Sequence, residues 1–141
     1  MKKTLYIFLI LAFGLFFAGC KDNSSDPQPT PLPTTYTVAY SLSVFGGHDD
    51  LQISYFEANN VKRQKTNPKT PWEETFNNYN KIDSVAFRAS FNPGANKTVN
   101  YEWSVKITQS SGLINEGGGS QTVVTEENPP PIYINWAAII E

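Results

Sequence analysis

Residues 99–107 constrain the fold more than any other stretch. Val99, Tyr101, Trp103, Val105 and Ile107 alternate with Asn100, Glu102, Ser104, Lys106 and Thr108. Successive side chains of a strand point to opposite faces, so a period of two predicts strand and opposes helix. Large apolar groups at every inward position predict a central core strand. The same period recurs upstream. Tyr36, Val38, Tyr40, Leu42 and Val44 oppose Thr35, Thr37, Ala39, Ser41 and Ser43. Leu51, Ile53 and Tyr55 oppose Gln52 and Ser54, and Val85, Phe87, Ala89 and Phe91 oppose Ser84, Ala86, Arg88 and Ser90.

Turn signals punctuate these runs. Gly46-Gly47-His48-Asp49-Asp50 predicts a hairpin turn joining the first two strands. Ala58-Asn59-Asn60 predicts the next turn, and residues 61–66 a polar edge strand guarded by Lys62, Arg63 and Lys65. After the break at Pro68 and Pro71, residues 72–76 read as a short strand with Trp72 and Phe76 inward, although Pro71 could instead open a turn of helix. Residues 77–80 read as loop, and Asn92-Pro93-Gly94-Ala95-Asn96 as a turn. Gly117-Gly118-Gly119 reads as a flexible hairpin tip between residues 113–115 and 121–125. Residues 132–140 are apolar in both phases, which predicts a strand buried between neighbours. Seven or eight short strands without a convincing helix predict a single all-β domain over residues 35–141. The expected form is an antiparallel β-sandwich of immunoglobulin-like kind, with a small barrel as the alternative.

The N-terminus has a different character. Lys2 and Lys3 precede an uncharged run over residues 4–19, which ends in Phe17-Ala18-Gly19-Cys20. A positive start, an apolar middle and small residues before the cut make a secretory signal. The run is short of the ~20 residues a spanning helix needs. Phe17-Ala18-Gly19-Cys20 resembles the lipobox of bacterial lipoproteins. That resemblance implies removal of residues 1–19, lipidation and N-acylation of Cys20, and residence on the outer membrane, in either the periplasmic or the surface leaflet. Residues 20–34 are then a tether, whose Asp26-Pro27-Gln28-Pro29-Thr30-Pro31-Leu32-Pro33 favours extended polyproline II.

Charge and residue types narrow the function. Loss of Lys2 and Lys3 takes the basic count from 11 to nine against 13 acidic residues. A weakly acidic chain with no basic stripe argues against a nucleic-acid partner. Cys20 is the only cysteine, so no internal disulfide forms and packing alone must hold the fold. The chain has one histidine, His48, beside Asp49 and Asp50. Nothing spaces these three as a known metal motif, and a polar turn accounts for them. Glu73-Glu74 and Glu126-Glu127 are adjacent pairs, which a strand would point to opposite faces, so neither is a ready acid–base dyad. No nucleophile elbow or phosphate loop is present. The expectation is a protein that is not an enzyme, needs no cofactor or metal, and acts by binding.

Aromatics make up 13% of the chain, more than the clear core positions use. Trp72 and Tyr79, set among Asn and Glu, are candidate sugar-stacking residues of a carbohydrate-binding face. The competing reading places them in the second half of a two-sheet core. Asp83-Ser84-Val85 resembles the short O-glycosylation pattern of Bacteroidetes, with Ser84 as the acceptor.

Tyr36-Thr-Val-Ala-Tyr, Leu51-Gln-Ile-Ser-Tyr, Thr70-Pro-Trp-Glu, Val85-Ala-Phe-Arg-Ala and Tyr101-Glu-Trp-Ser-Val-Lys-Ile together look like small Bacteroidetes lipoproteins. Their layout in turn resembles the mycobacterial MmpS proteins, β-sandwich accessories of lipid transporters. The resemblance implies a sandwich fold and an accessory role beside an envelope protein partner, and transfers no catalytic residue.

Overall fold

The computed structural model describes residues 34–81 and 83–141. The expected signal, Cys20 and the expected tether up to Pro33 lie outside the described residues. Eight strands follow in order: β1 (Tyr36–Phe45), β2 (His48–Glu57), β3 (Val61–Thr66), β4 (Trp72–Tyr79), β5 (Ser84–Pro93), β6 (Thr98–Gln109), β7 (Gly112–Val124) and β8 (Ile132–Ile139). A 3₁₀ turn, Ala58–Asn60, links β2 to β3. The strands form two antiparallel four-stranded sheets, β4-β1-β6-β7 (sheet A) and β3-β2-β5-β8 (sheet B), packed face to face as a β-sandwich.

Burial follows the period-two phases. Val38, Leu42, Val85, Phe87, Val99, Val105 and Ile107 are all essentially inaccessible. Each fully buried side chain of this size contributes about 1.5–3 kcal/mol relative to exposure. Aromatic rings join the layers: Phe87 of sheet B stacks on Tyr40 and Trp103 of sheet A at centroid distances of 6.2 and 6.0 Å. Tyr55 meets Trp72 and Phe76 at 5.4 and 5.5 Å. As expected, β6 lies inside its sheet and β3 is a wholly exposed edge.

Four expectations need correction. The first concerns the Gly46-Gly47 turn. β1 pairs with β4 and β6, whereas β2 pairs with β3 and β5, so β1 and β2 are not a hairpin. The two glycines form a corner that carries the chain from one sheet to the other. Gly46 has φ 102°, and a Cβ there would lie 2.0 Å from the Thr98 carbonyl oxygen, so only glycine fits. The turn is also shorter than expected, because His48 already opens β2.

The second correction is that β4 runs through the expected loop to Tyr79. Tyr36 pairs with Tyr79 and Val38 with Phe76, so β4 carries one extra residue between those pairs. Asn78 sits there at φ 70°. This bulge reverses the phase, and Tyr79 points inward where strict alternation would turn it to solvent. A left-handed residue costs about 1–2 kcal/mol; burying a large ring returns about 1.5–3 kcal/mol.

Third, Gly117-Gly118-Gly119 is not a hairpin tip. It is the middle of β7, paired with Val105, Ser104 and Trp103. The chain reverses instead at Ser110–Ser111, ahead of Gly112. The glycines clear space for tryptophans. A Cβ on Gly117 would fall 2.1 Å from Trp136 Nε1, and one on Gly119 would fall 3.1 Å from Trp103 Nε1. The Trp136 indole of sheet B thus lies against bare backbone of sheet A.

Fourth, β8 is an edge strand and not one enclosed by neighbours. Ile134 is buried and Ile132, Trp136 and Ala138 are partly buried on the core side. Tyr133 and Ile139, in the other phase, are 75% and 62% exposed.

Candidate binding surface

Several sequence candidates are occupied in holding the fold. Trp72 is 7% exposed and Tyr79 is fully buried. Neither ring offers a face to a sugar, so the stacking site expected at these two residues does not exist. The Tyr79 hydroxyl donates to the Phe56 carbonyl, and Tyr40 donates to the same oxygen at 2.7 Å. Two tyrosines of sheet A thereby grip one backbone carbonyl of sheet B. Burial pushes the Tyr79 phenol up to about 12, and burial raises Tyr40 further, reinforced by its hydroxyl contact with Tyr79.

Ser84 lies half-buried at the start of β5, opposite Ile139, in the outward phase. Its N–H donates to Asn60 Oδ1 at 2.7 Å. Asp83, the acidic member of the same triplet, is 5% exposed. Its Oδ2 accepts the N–H groups of Asn80 at 2.8 Å and Asn59 at 3.4 Å, and its carbonyl accepts the Ile140 N–H. Asp83 therefore fastens two loops and the last residues of the domain, so the carboxylate has a structural use independent of any modification.

His48 packs edge-on against Phe91, with centroids 6.0 Å apart. Asp50 sits at φ 55° where the β2–β5 register shifts, and its Oδ2 accepts from Asn92 Nδ2 at 3.0 Å. Among the described residues, no group of three or more His, Cys, Asp or Glu could hold a metal. Glu74 pairs with Lys65 at 3.1 Å, bridging the edges of the two sheets, and this contact raises the Lys65 ammonium.

The outer face of sheet B has a different composition. Strand pairing lines up two rungs across all four strands. Gln64, Ser54, Arg88 and Asn135 form one; Thr66, Gln52, Ser90 and Tyr133 form the next. Together they line most of an open trough of about 520 Å³, floored by Ile53, Ala89 and Ile134. A smaller hollow of about 90 Å³ adjoins it, lined by Ser54, Phe56, Lys62, Ala86 and Arg88 among others. No carboxylate lines either hollow. Arg88 Nε donates to Asn135 Oδ1 at 3.1 Å, which fixes the guanidinium plane. Gln52 Oε1 accepts from the Thr66 hydroxyl at 3.1 Å. The outward phase of Gln52, Ser54, Arg88 and Ser90 is readable from each strand alone. Their alignment with Gln64, Tyr133 and Asn135 depends on sheet order, which local sequence does not carry.

No protein-family model matches the chain, and comparison with curated proteins finds no match.

Proposed function

We propose that this chain is a non-enzymatic binding or accessory module of the cell envelope, held on the outer membrane through lipid on Cys20, and that the outer face of sheet B is its ligand surface. The observation that carries the reading is the pair of rungs above. Six polar side chains of these rungs and one exposed tyrosine are set in register along a trough whose volume lies within the ~300–1,000 Å³ usual for small-ligand sites. The polar groups of most other candidates are already committed to the fold. The lipobox supports the anchor.

The test is photocrosslinking in intact cells from a reactive side chain placed at Asn135, with Glu102 on the outer face of sheet A as the control. Adducts from position 135 and not 102 are expected, and Cys20→Ala should release the protein from the membrane fraction. Equal adducts from both faces, or none from position 135, would refute the assignment of the face.

A second reading has its own observation. β8 carries no charged residue from Ile132 to Ile139, whereas β3 has Lys62, Arg63 and Lys65 and β4 has Glu73 and Glu74. An unguarded edge fits strand addition by an envelope protein partner. Ala137→Lys should abolish a protein adduct formed through β8 and leave trough adducts intact.

A further inference from the structure

The electrostatics of the trough limit what would occupy it. The described domain is acidic overall, yet the two charged side chains lining the paired hollows, Arg88 and Lys62, are both cations. Arg88 is central, on an interior strand, and forms no ion pair with a carboxylate among the described residues. With Nε held by Asn135, its two terminal NH₂ groups remain as a fork of fixed plane. That is the geometry for bidentate binding of a planar carboxylate.

The remainder of the surface suits hydroxyl groups. Gln52, Gln64 and Asn135 offer amides, and Ser54 and Ser90 offer hydroxyls, each able to donate and accept. Tyr133, directly opposite Ser90 and 75% exposed, supplies an aromatic wall at the rim. At about 4.8 Å per strand the four strands span roughly 14 Å, room for a short chain of rings. Two cations are too few to track a polyphosphate backbone, whose binding scales with the number of phosphates neutralised.

We propose that this face binds an acidic oligosaccharide, with Arg88 taking a sugar carboxylate, the amides and serines taking ring hydroxyls, and Tyr133 stacking on a pyranose face. The proposal rests on the assignment of sheet B's outer face as the ligand surface and goes further by naming the ligand class and the residue that sets the charge preference.

The experiment is calorimetric titration of the purified mature protein with short oligogalacturonate and, separately, with its methyl ester, which keeps the rings and removes the charge. The acid form should bind at least tenfold more tightly, and the difference should shrink as salt rises. Arg88→Gln should abolish the preference, whereas Tyr133→Ala should weaken both forms alike. Urea midpoints of the two variants, both exposed positions, confirm that folding is unchanged. Equal affinity for acid and ester would overturn the charge preference while leaving the face as a sugar surface. Failure of oligogalacturonate and an oligoglucuronate alike to bind would overturn the ligand class. In either event the crosslinking contrast between positions 135 and 102 still decides whether the face is used at all. Acid binding that Arg88→Gln leaves intact would overturn the role of Arg88.

Discussion

Gly117 offers the sharpest test of how the two sheets meet. An alanine methyl at this position would sit 2.1 Å from Trp136 Nε1, 2.4 Å from Cε2 and 2.5 Å from Cδ1. Ordinary contact begins near 3.4 Å, so the indole must retreat by about 1.3 Å. The ring is large, stiff and packed against the core, and overpacking of this kind costs about 1–3 kcal/mol. Opposing this, Gly→Ala at a position with unstrained dihedrals stabilises by about 0.4–1 kcal/mol through the unfolded chain. Steric overlap wins, and Gly117→Ala should be destabilised by about 1–2 kcal/mol. In a Trp136→Ala background the obstruction is gone, and the same substitution should be neutral or stabilising by up to about 1 kcal/mol. A double-mutant cycle by urea denaturation, followed by far-ultraviolet circular dichroism so that loss of Trp136 does not affect the signal, gives the coupling directly. The reasoning fails if Gly117→Ala is harmless in the parent protein, or if its cost is the same with and without Trp136.

Other outcomes follow from the polar contacts. Tyr40→Phe and Tyr79→Phe should each cost about 1 kcal/mol, and the double variant more than their sum, because both hydroxyls serve the Phe56 carbonyl; strict additivity of urea midpoints would contradict a shared acceptor. Both phenols are raised above the ordinary value of 10, so the fold favours their neutral forms. Stability should be unaffected by these groups below pH 10. It should fall as the unfolded state ionises and the native state does not, by roughly 1.4 kcal/mol per pH unit for each tyrosine, with the Tyr79 contribution exhausted above about pH 12. Ultraviolet absorbance of tyrosinate should show Tyr40 ionising only as circular dichroism is lost, and Tyr79 ionising only from about pH 12 upward unless the fold is lost first. Asp83→Ala should cost about 1–3 kcal/mol by stranding the Asn80 and Asn59 N–H groups, while Asp83→Asn, which keeps an acceptor, should cost less; thermal midpoints compare the two.

What the sequence made legible was local. The inward phases of β1, β2, β5 and β6 follow from alternation alone, since adjacent side chains must face opposite ways. Wherever a distant residue intervened, local pattern misled. Tyr79 faces the core because an extra residue on β4 is absorbed opposite β1, and nothing near Tyr79 records that pairing. The three glycines look like a tip unless the position of Trp136 is known. Gly46-Gly47 has the same composition whether it folds a strand back on its neighbour or hands the chain to the opposite sheet. β8 carries Tyr133, Ala137 and Ile139 on its outer face beside Asn135, and those three imitate enclosure from both sides. The trough is hidden for the same reason: its rung residues come from four strands, and alternation within a strand gives an outward phase only to Gln52, Ser54, Arg88 and Ser90.

The connections between strands bear on when this chain can fold. Only β2 with β3 and β6 with β7 join strands adjacent in sequence; every other link crosses from one sheet to the other. The first strand cannot complete its ladder until β6 exists, as Tyr40 pairs with Val105. Closing such long loops is entropically expensive before any contact rewards it, and chains so wired fold in milliseconds to seconds, not microseconds. No partial chain holds either sheet complete without β7 or β8. A polypeptide emerging in order therefore carries open, unpaired strand edges until nearly all of the eight strands are available.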